Sequence, residues 1–201
     1  MLVKAGCPLV FKGGTALMLI LGKSAHRLSI DIDVICPPGT NIEDYLKSFA
    51  DFGFINLELV ERKQRDDADI PKSHSKFFYQ IAYRNDTDAQ SYILLDVLYE
   101  DIHYFQTRQI AIDCPFIRLE GEPLMVTVPS AEDILGDKLT AFAPNTTGIP
   151  YYKNGRSCSM EIAKQLYDVG RLFENVSGLQ ITAEAFRKIA VVELSIHFST
   201  I

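Results

Sequence analysis

Apolar positions fall into two kinds of run along this chain. Short β-type runs dominate the first two thirds, at residues 8–12, 28–36, 55–61, 77–83 and 92–99, most of them bounded by glycine, proline or acidic turn formers. Between the first two, Thr15 is placed to cap a helix with an apolar body from Ala16 to Leu21, stopped by Gly22. Pro37-Pro38-Gly39 ends the second run. Ile42, Tyr45, Leu46 and Phe49 then recur at helical spacing, predicting a helix capped at Asn41 and closing near Gly53. The segments RDDADIPKSHSK and RNDTDAQ read as turn-rich separators. A further β-rich stretch covers about 109–128, broken at Pro115 and Pro123.

The character changes after Pro129. Ser130-Ala131-Glu132-Asp133 has a capping-box pattern and opens a helix to about residue 142. Its apolar stripe is Ala131, Ile134, Leu135, Leu139 and Phe142, and Lys138 falls inside that stripe while Asp137 points elsewhere. A long polar loop at 143–157 follows, then helices at about 160–174 and from Thr182 to the end. The first of these predicts a buried face of Ile162, Leu166, Val169 and Phe173, with Lys164, Asp168 and Arg171 in an ordinary salt-bridging row on another side. This order predicts an α+β chain: a small mixed sheet with flanking helices at 1–128, then a helical C-terminal portion at 129–201.

Charge and cysteine usage narrow the function classes. The 201 residues carry a formal charge of −6, which argues against a general coat for nucleic acid, since non-specific phosphate binding needs clustered cations. The densest basic cluster is Arg62, Lys63 and Arg65 with Lys72 and Lys76, read as a solvated strand edge or a local patch. Cys7, Cys36, Cys114 and Cys158 form no C-x-x-C pair, so buried thiols in a reduced, cytoplasmic chain are expected. His26, His74, His103 and His197 have no metal-ligand spacing. No apolar run approaches the ~20 residues of a membrane span, and no signal peptide is recognised at the start. The chain enters its first motif abruptly, consistent either with a segment missing ahead of it or with a naturally short protein.

The chemistry concentrates in three places. Gly13-Gly14 before a helix suits phosphate binding, because backbone N–H groups converge there and glycine permits close approach. Asp31 and Asp33 are two apart on a strand, so both carboxylates leave one face and repel unless a cation such as Mg²⁺ neutralises them. Asp96 interrupts a strand that is otherwise apolar on both faces, an expensive position for an unpaired charge. A third carboxylate beside a D-x-D pair is what two-metal phosphoryl transfer requires. Lys138 is the inward cation that would meet a triphosphate; a snorkelling core lysine is the plain alternative.

These residues resemble a known family. Lys12-Gly13-Gly14-Thr15-Ala16-Leu17 with Arg27-Leu28-Ser29-Ile30-Asp31-Ile32-Asp33 looks like the K-G-G-T-A-L … R-x-S-x-D-I-D signature of AbiEii-type nucleotidyltransferases. These toxin components of AbiE-like toxin–antitoxin and phage-defence systems fall within the DNA polymerase β-like superfamily. VPSAEDILGDKLTAF and KQLYDVGRLFE are similar to two later segments of the family, so the likeness runs from Phe11 to about Glu174. Three departures stand out: the GKSAHR loop is slightly long, Gln165 replaces an acidic residue, and the chain is short.

The resemblance implies a nucleotidyltransferase-like fold and a metal-dependent transfer of an NMP from an NTP to an acceptor hydroxyl. The cofactor would be Mg²⁺ or Mn²⁺, and the acceptor tRNA, at its 3′ end, or another RNA. A cognate antitoxin would be a partner; a membrane would not. Gly13, Gly14, Thr15 and Ser29 would hold nucleotide phosphates together with Lys138. Asp31, Asp33 and Asp96 would bind metal, with Asp96 also the candidate base and Asp168 beside Lys138 in the catalytic set. The alternatives are a catalytically inactive nucleotide- or partner-binding module, a transferase acting on a protein or small-molecule hydroxyl, and a metal-dependent nuclease.

Overall fold

A computed structural model describes residues 1–29, 31–60, 72–80, 90–113 and 120–198. Expectations about Arg62, Lys63, Arg65, Cys114, the interruption at Pro115 and most of the two turn-rich separators lie outside those residues. Five strands form the main sheet: β1 (Val10–Lys12), β2 (Asp31–Cys36), β3 (Asn56–Val60), β4 (Lys72–Gln80) and β5 (Gln90–Tyr99). Their spatial order is β1-β2-β5-β4-β3, with only β2 and β5 parallel. The fold is therefore α+β with a small mixed sheet, as the periodicity predicts. The segment KSHSK, expected to belong to a turn, instead starts β4, because pairing with β5 extends back to Lys72.

Each face of the sheet has its own cover. Val10, Ile35 and Leu98 point to a core completed by Ala16 and Leu17 of α1 (Gly13–Leu21), Ile134 and Leu135 of α2 (Ala131–Leu139), Val169 and Leu172 of α3 (Ser159–Phe173) and Ile189 of α4 (Gln180–Phe198). This core draws on residues from both sides of position 128. On the opposite face Val34, Cys36, Leu95, Val97 and Phe77 pack beneath Ile42 and Leu46. A ribbon of β6 (Thr107–Ala111) and β7 (Met125–Pro129) seats Val126 and Val128 against Leu19.

Local chemistry moved several boundaries. The helix expected over 41–53 is two single 3-10 turns, Ile42–Tyr45 and Phe49–Phe52, ended by left-handed Gly53. Asp44, Ser48 and Asp51 favour local turns over a continuous helix; Asp44 accepts from Asn41 and Lys47, and Asn41 caps no backbone N–H. Helix α1 starts at Gly13, two residues before the expected cap. The Ser130 cap is present: its hydroxyl accepts from Asp133 N–H at 3.0 Å, and α2 ends at Leu139 in a 3-10 turn through Phe142. The polar loop contains a hairpin of β8 (Tyr152–Lys153) and β9 (Arg156–Ser157), for which Asn154-Gly155 was the available sequence signal.

The face of α3 is the largest correction. Leu166 and Phe173, expected inside, are 62% and 48% exposed, while Asp168, expected on a solvated row, is fully buried. Lys164 is exposed, and Arg171 bonds Glu174 and the Ser24 carbonyl rather than Asp168. The physical reason is charge: Lys138 faces inward from α2, and an inward cation without a carboxylate costs more than two exposed apolar side chains.

Candidate active site

Strand register assembles a row that no linear reading contains. Lys12 pairs with Asp33, Asp33 with Asp96, and Asp96 with His74, one residue from each of β1, β2, β5 and β4. Partners in register share a face of the pleat, so the row crosses the sheet beside the Val10–Ile35–Leu98 layer. Asp31 lies on the same face, two residues from Asp33, opposite Leu94. Lys12 and His74 were missed as site residues because each is ordinary until its cross-strand partner is known.

The row is electrostatically tense. Burial first, then the neighbouring charges of Asp96 and Asp31, pushes the Asp33 carboxyl above its ordinary range, while Lys12 and Lys138 pull it down. Asp96 Oδ1 contacts His74 Nδ1 at 2.5 Å, and His74 is buried. Lys12 Nζ lies 3.9 Å from Asp137 Oδ2. Asp137, with help from Glu100, Glu193 and Asp33, holds the Lys12 ammonium above its ordinary value against the opposing effect of burial. Asp137 also accepts from the Tyr104 hydroxyl at 2.9 Å, so it does not simply point away as its spacing suggests.

The glycine turn sits directly on this row. Gly13 has φ +61, and a Cβ there would overlap Asp33 Oδ2; a Cβ on Gly14 would come within 2.7 Å of Ser29 Oγ. Glycine at both positions lets the start of α1 close onto the strand carrying the carboxylates. Thr15 Oγ1 and Ser29 Oγ, expected at the phosphates, both donate to the Asp31 carbonyl, at 2.8 and 3.0 Å. They brace the carboxylate strand in this conformation.

A second polar cluster flanks the first. Lys138 Nζ bonds Asp168 Oδ2 at 2.8 Å and Gln165 Oε1 at 3.0 Å. Arg27 Nε donates to Asp168 Oδ1 at 2.7 Å, and its Nη2 donates to Oδ2. Burial alone would raise the Asp168 carboxyl, but these bonds and charges hold it below its usual range. Asp168 therefore sits beside Lys138, as the resemblance implies, and positions two cations. Gln165, a departure in the sequence, supplies the amine with a neutral acceptor. A cleft of about 540 Å³ runs past Lys12, Gly13, Lys138, Gln165 and Lys153.

For a divalent cation, the donor set fits by chemistry: the row offers carboxylate oxygens, and the Asp33 carboxyl, raised first by burial and then by Asp96 and Asp31, is a charge that a hard cation would stabilise. Asp33 and Asp96 are lateral neighbours. Among the described residues, however, no three His, Cys, Asp or Glu side chains are gathered as a metal shell. Of the cysteines, Cys7, Cys36 and Cys158 are buried and unbridged. No helix among the described residues is long and apolar enough to cross a membrane.

Residues 1–194 match a family model described as nucleotidyl transferase AbiEii toxin, type IV TA system. Among solved structures, the nucleotidyltransferase toxin MenT4 (Rv2826c) of Mycobacterium tuberculosis H37Rv aligns with a TM-score of 0.53 at 15% identity, over 89% of this chain and 54% of that one. JHP933 from Helicobacter pylori aligns at 0.46 and 19% identity, over 98% of this chain and 86% of that one. The MenT4 likeness concerns the fold. Among curated proteins, none matches the chain. The chain belongs to the AbiEii nucleotidyl transferase toxin family of type IV toxin–antitoxin systems.

Proposed function

We propose that this toxin transfers an NMP from an NTP to the 3′-hydroxyl of an RNA, tRNA foremost, with release of pyrophosphate. The observation that carries the reading is the Lys12–Asp33–Asp96–His74 row beneath a glycine turn that closes onto Asp33. In this reading Gly13 and Gly14 admit the triphosphate to the helix start, and Lys138 and Arg27 balance its charge from the Asp168 side. Asp31, Asp33 and Asp96 would hold Mg²⁺ or Mn²⁺, which supplies charge neutralisation at the phosphates and lowers the pKa of an oxygen nucleophile. The acceptor oxygen attacks the α-phosphorus, the bond to the β-phosphate oxygen breaks, and the hydroxyl proton passes to Asp96. His74 orients that carboxylate. A cytoplasmic location and a cognate antitoxin belong to the same proposal.

The test is incorporation of each α-labelled NTP into total RNA and total protein, with Mg²⁺ or with EDTA, for wild type and Asp33→Ala. Metal-dependent label in small RNA that vanishes in the variant supports the reading. Equal label in both chains, or label only in protein, refutes it. One observation favours a second reading, a nucleotide-binding module without turnover: among the described residues the carboxylates form no three-ligand shell. NTP binding without release of pyrophosphate in any mixture would select it.

A further inference from the structure

We propose that the β8–β9 hairpin is the platform on which the single-stranded 3′ end of the acceptor RNA rests, with Tyr151 stacking a base and Lys153 and Arg156 meeting phosphates. This rests on the transferase reading above and adds the surface that would capture its acceptor. The hairpin has a defined turn. Asn154 and Gly155 both have left-handed φ, 52° and 77°, which closes a two-residue turn whose twist matches the strands. Cys158 N–H donates to the Tyr151 carbonyl at 2.9 Å and extends the ladder by one rung.

On this hairpin stand the two most exposed aromatic side chains among the described residues, Tyr151 at 64% and Tyr152 at 72%. Rings held in water at a cleft mouth gain nothing for the fold. Lys153 and Arg156 are direct register partners, an arrangement of like charges that is unfavourable unless an anion lies over it. Neither meets a carboxylate in an ion pair among the described residues. Lys153 also lines the cleft that holds Lys12, Gly13 and Lys138, so the platform shares a cleft with the glycine turn that closes onto Asp33. Alternating side-chain direction puts Tyr151 on the face of Lys153. Tyr152, the next residue, lies on the opposite face, so the surface is one exposed ring beside two paired cations, which suits a base on a phosphate backbone.

The experiment measures binding of two probes, unfractionated tRNA and a synthetic single-stranded RNA of about ten nucleotides, across a salt series. The variants are Tyr151→Ala, Tyr151→Phe, Tyr152→Ala as a control on the opposite face, and Lys153→Gln with Arg156→Gln. Tyr151→Ala should weaken RNA binding about tenfold while leaving metal-dependent NTP binding unchanged; Tyr151→Phe and Tyr152→Ala should bind like wild type. The glutamine pair should flatten the slope of log K against log salt by about 1.4, the amount expected for two single-strand phosphate contacts. Unchanged RNA affinity in Tyr151→Ala, or an unchanged salt slope in the glutamine pair, overturns the platform. If the wild type binds neither RNA and labels protein instead, the RNA-acceptor reading fails first and takes the platform with it.

Discussion

Replacing Asp168 by asparagine removes one negative charge from between two cations and changes almost nothing else. Asp168 is fully buried, the Lys138 side chain is 7% exposed and that of Arg27 22%. Removing one partner of a buried ion pair typically costs about 3–5 kcal/mol. Arg27 reaches enough water to recover part of its hydration, whereas Lys138 does not, so the cost should lie near the lower end, at about 3 kcal/mol. For a chain of this size that corresponds to a fall in Tm of about 6–12 °C. Urea unfolding with linear extrapolation measures the first quantity and calorimetry the second.

The same substitution carries a pH signature. The folded Asp168 carboxyl lies below its ordinary value because Arg27 and Lys138 overcome the effect of burial. Its stabilisation is therefore fully present above the unfolded value of about 3.9 and is lost as pH falls through the lower folded value. The difference between wild type and Asp168→Asn should close in that acid window and stay constant above about pH 5. A double replacement, Lys138→Met with Asp168→Leu, should cost clearly less than the sum of the two single changes, since both charges leave together. The reasoning is refuted if Asp168→Asn unfolds within about 0.5 kcal/mol of wild type at neutral pH, the range of an ordinary surface change. A gap that widens in acid would refute it equally.

Three further predictions follow from single positions. Gly13→Ala forces a Cβ onto Asp33 at a left-handed φ; a stability loss of at least about 1–2 kcal/mol should accompany weakened NTP binding, read by calorimetric titration, and retention of wild-type NTP affinity would contradict the close approach. His74→Leu should lower kcat with little change in KM for NTP, whereas His74→Asn, which keeps an N–H near Nδ1, should recover much of it; equal loss in both would mean that the Asp96 contact at 2.5 Å is not what matters. Asp133→Ala strands the backbone N–H groups of Phe105 and Gln106 and the Ser130 hydroxyl, so denaturant titration should report a loss of about 3 kcal/mol or more, and a loss below about 1 kcal/mol would show that the loop relaxes to water.

Much of the candidate site is local in sequence and could be read there. Gly13-Gly14 before an apolar helix, Asp31 and Asp33 on one strand face, and Asp96 within an apolar strand are each recognisable because helix and strand periods decide which side chains share a face. The capping box at Ser130 was legible for the same reason. Register was not. That Lys12, Asp33, Asp96 and His74 form one row depends on how four strands slide against one another, and each pairing is set by the packing of both sheet faces. The inward face of α3 was illegible as well. Its apolar stripe pointed to Leu166 and Phe173, but Lys138 and Arg27, distant in sequence, required the carboxylate of Asp168, and a buried charge outweighs two exposed hydrophobic side chains. Sequence alone determined the candidate residues at the glycine turn and on β2 and β5 and the strand faces they share. Tertiary structure decided which of them meet, because contact between charges is a property of the assembled sheet and helices, not of any single element.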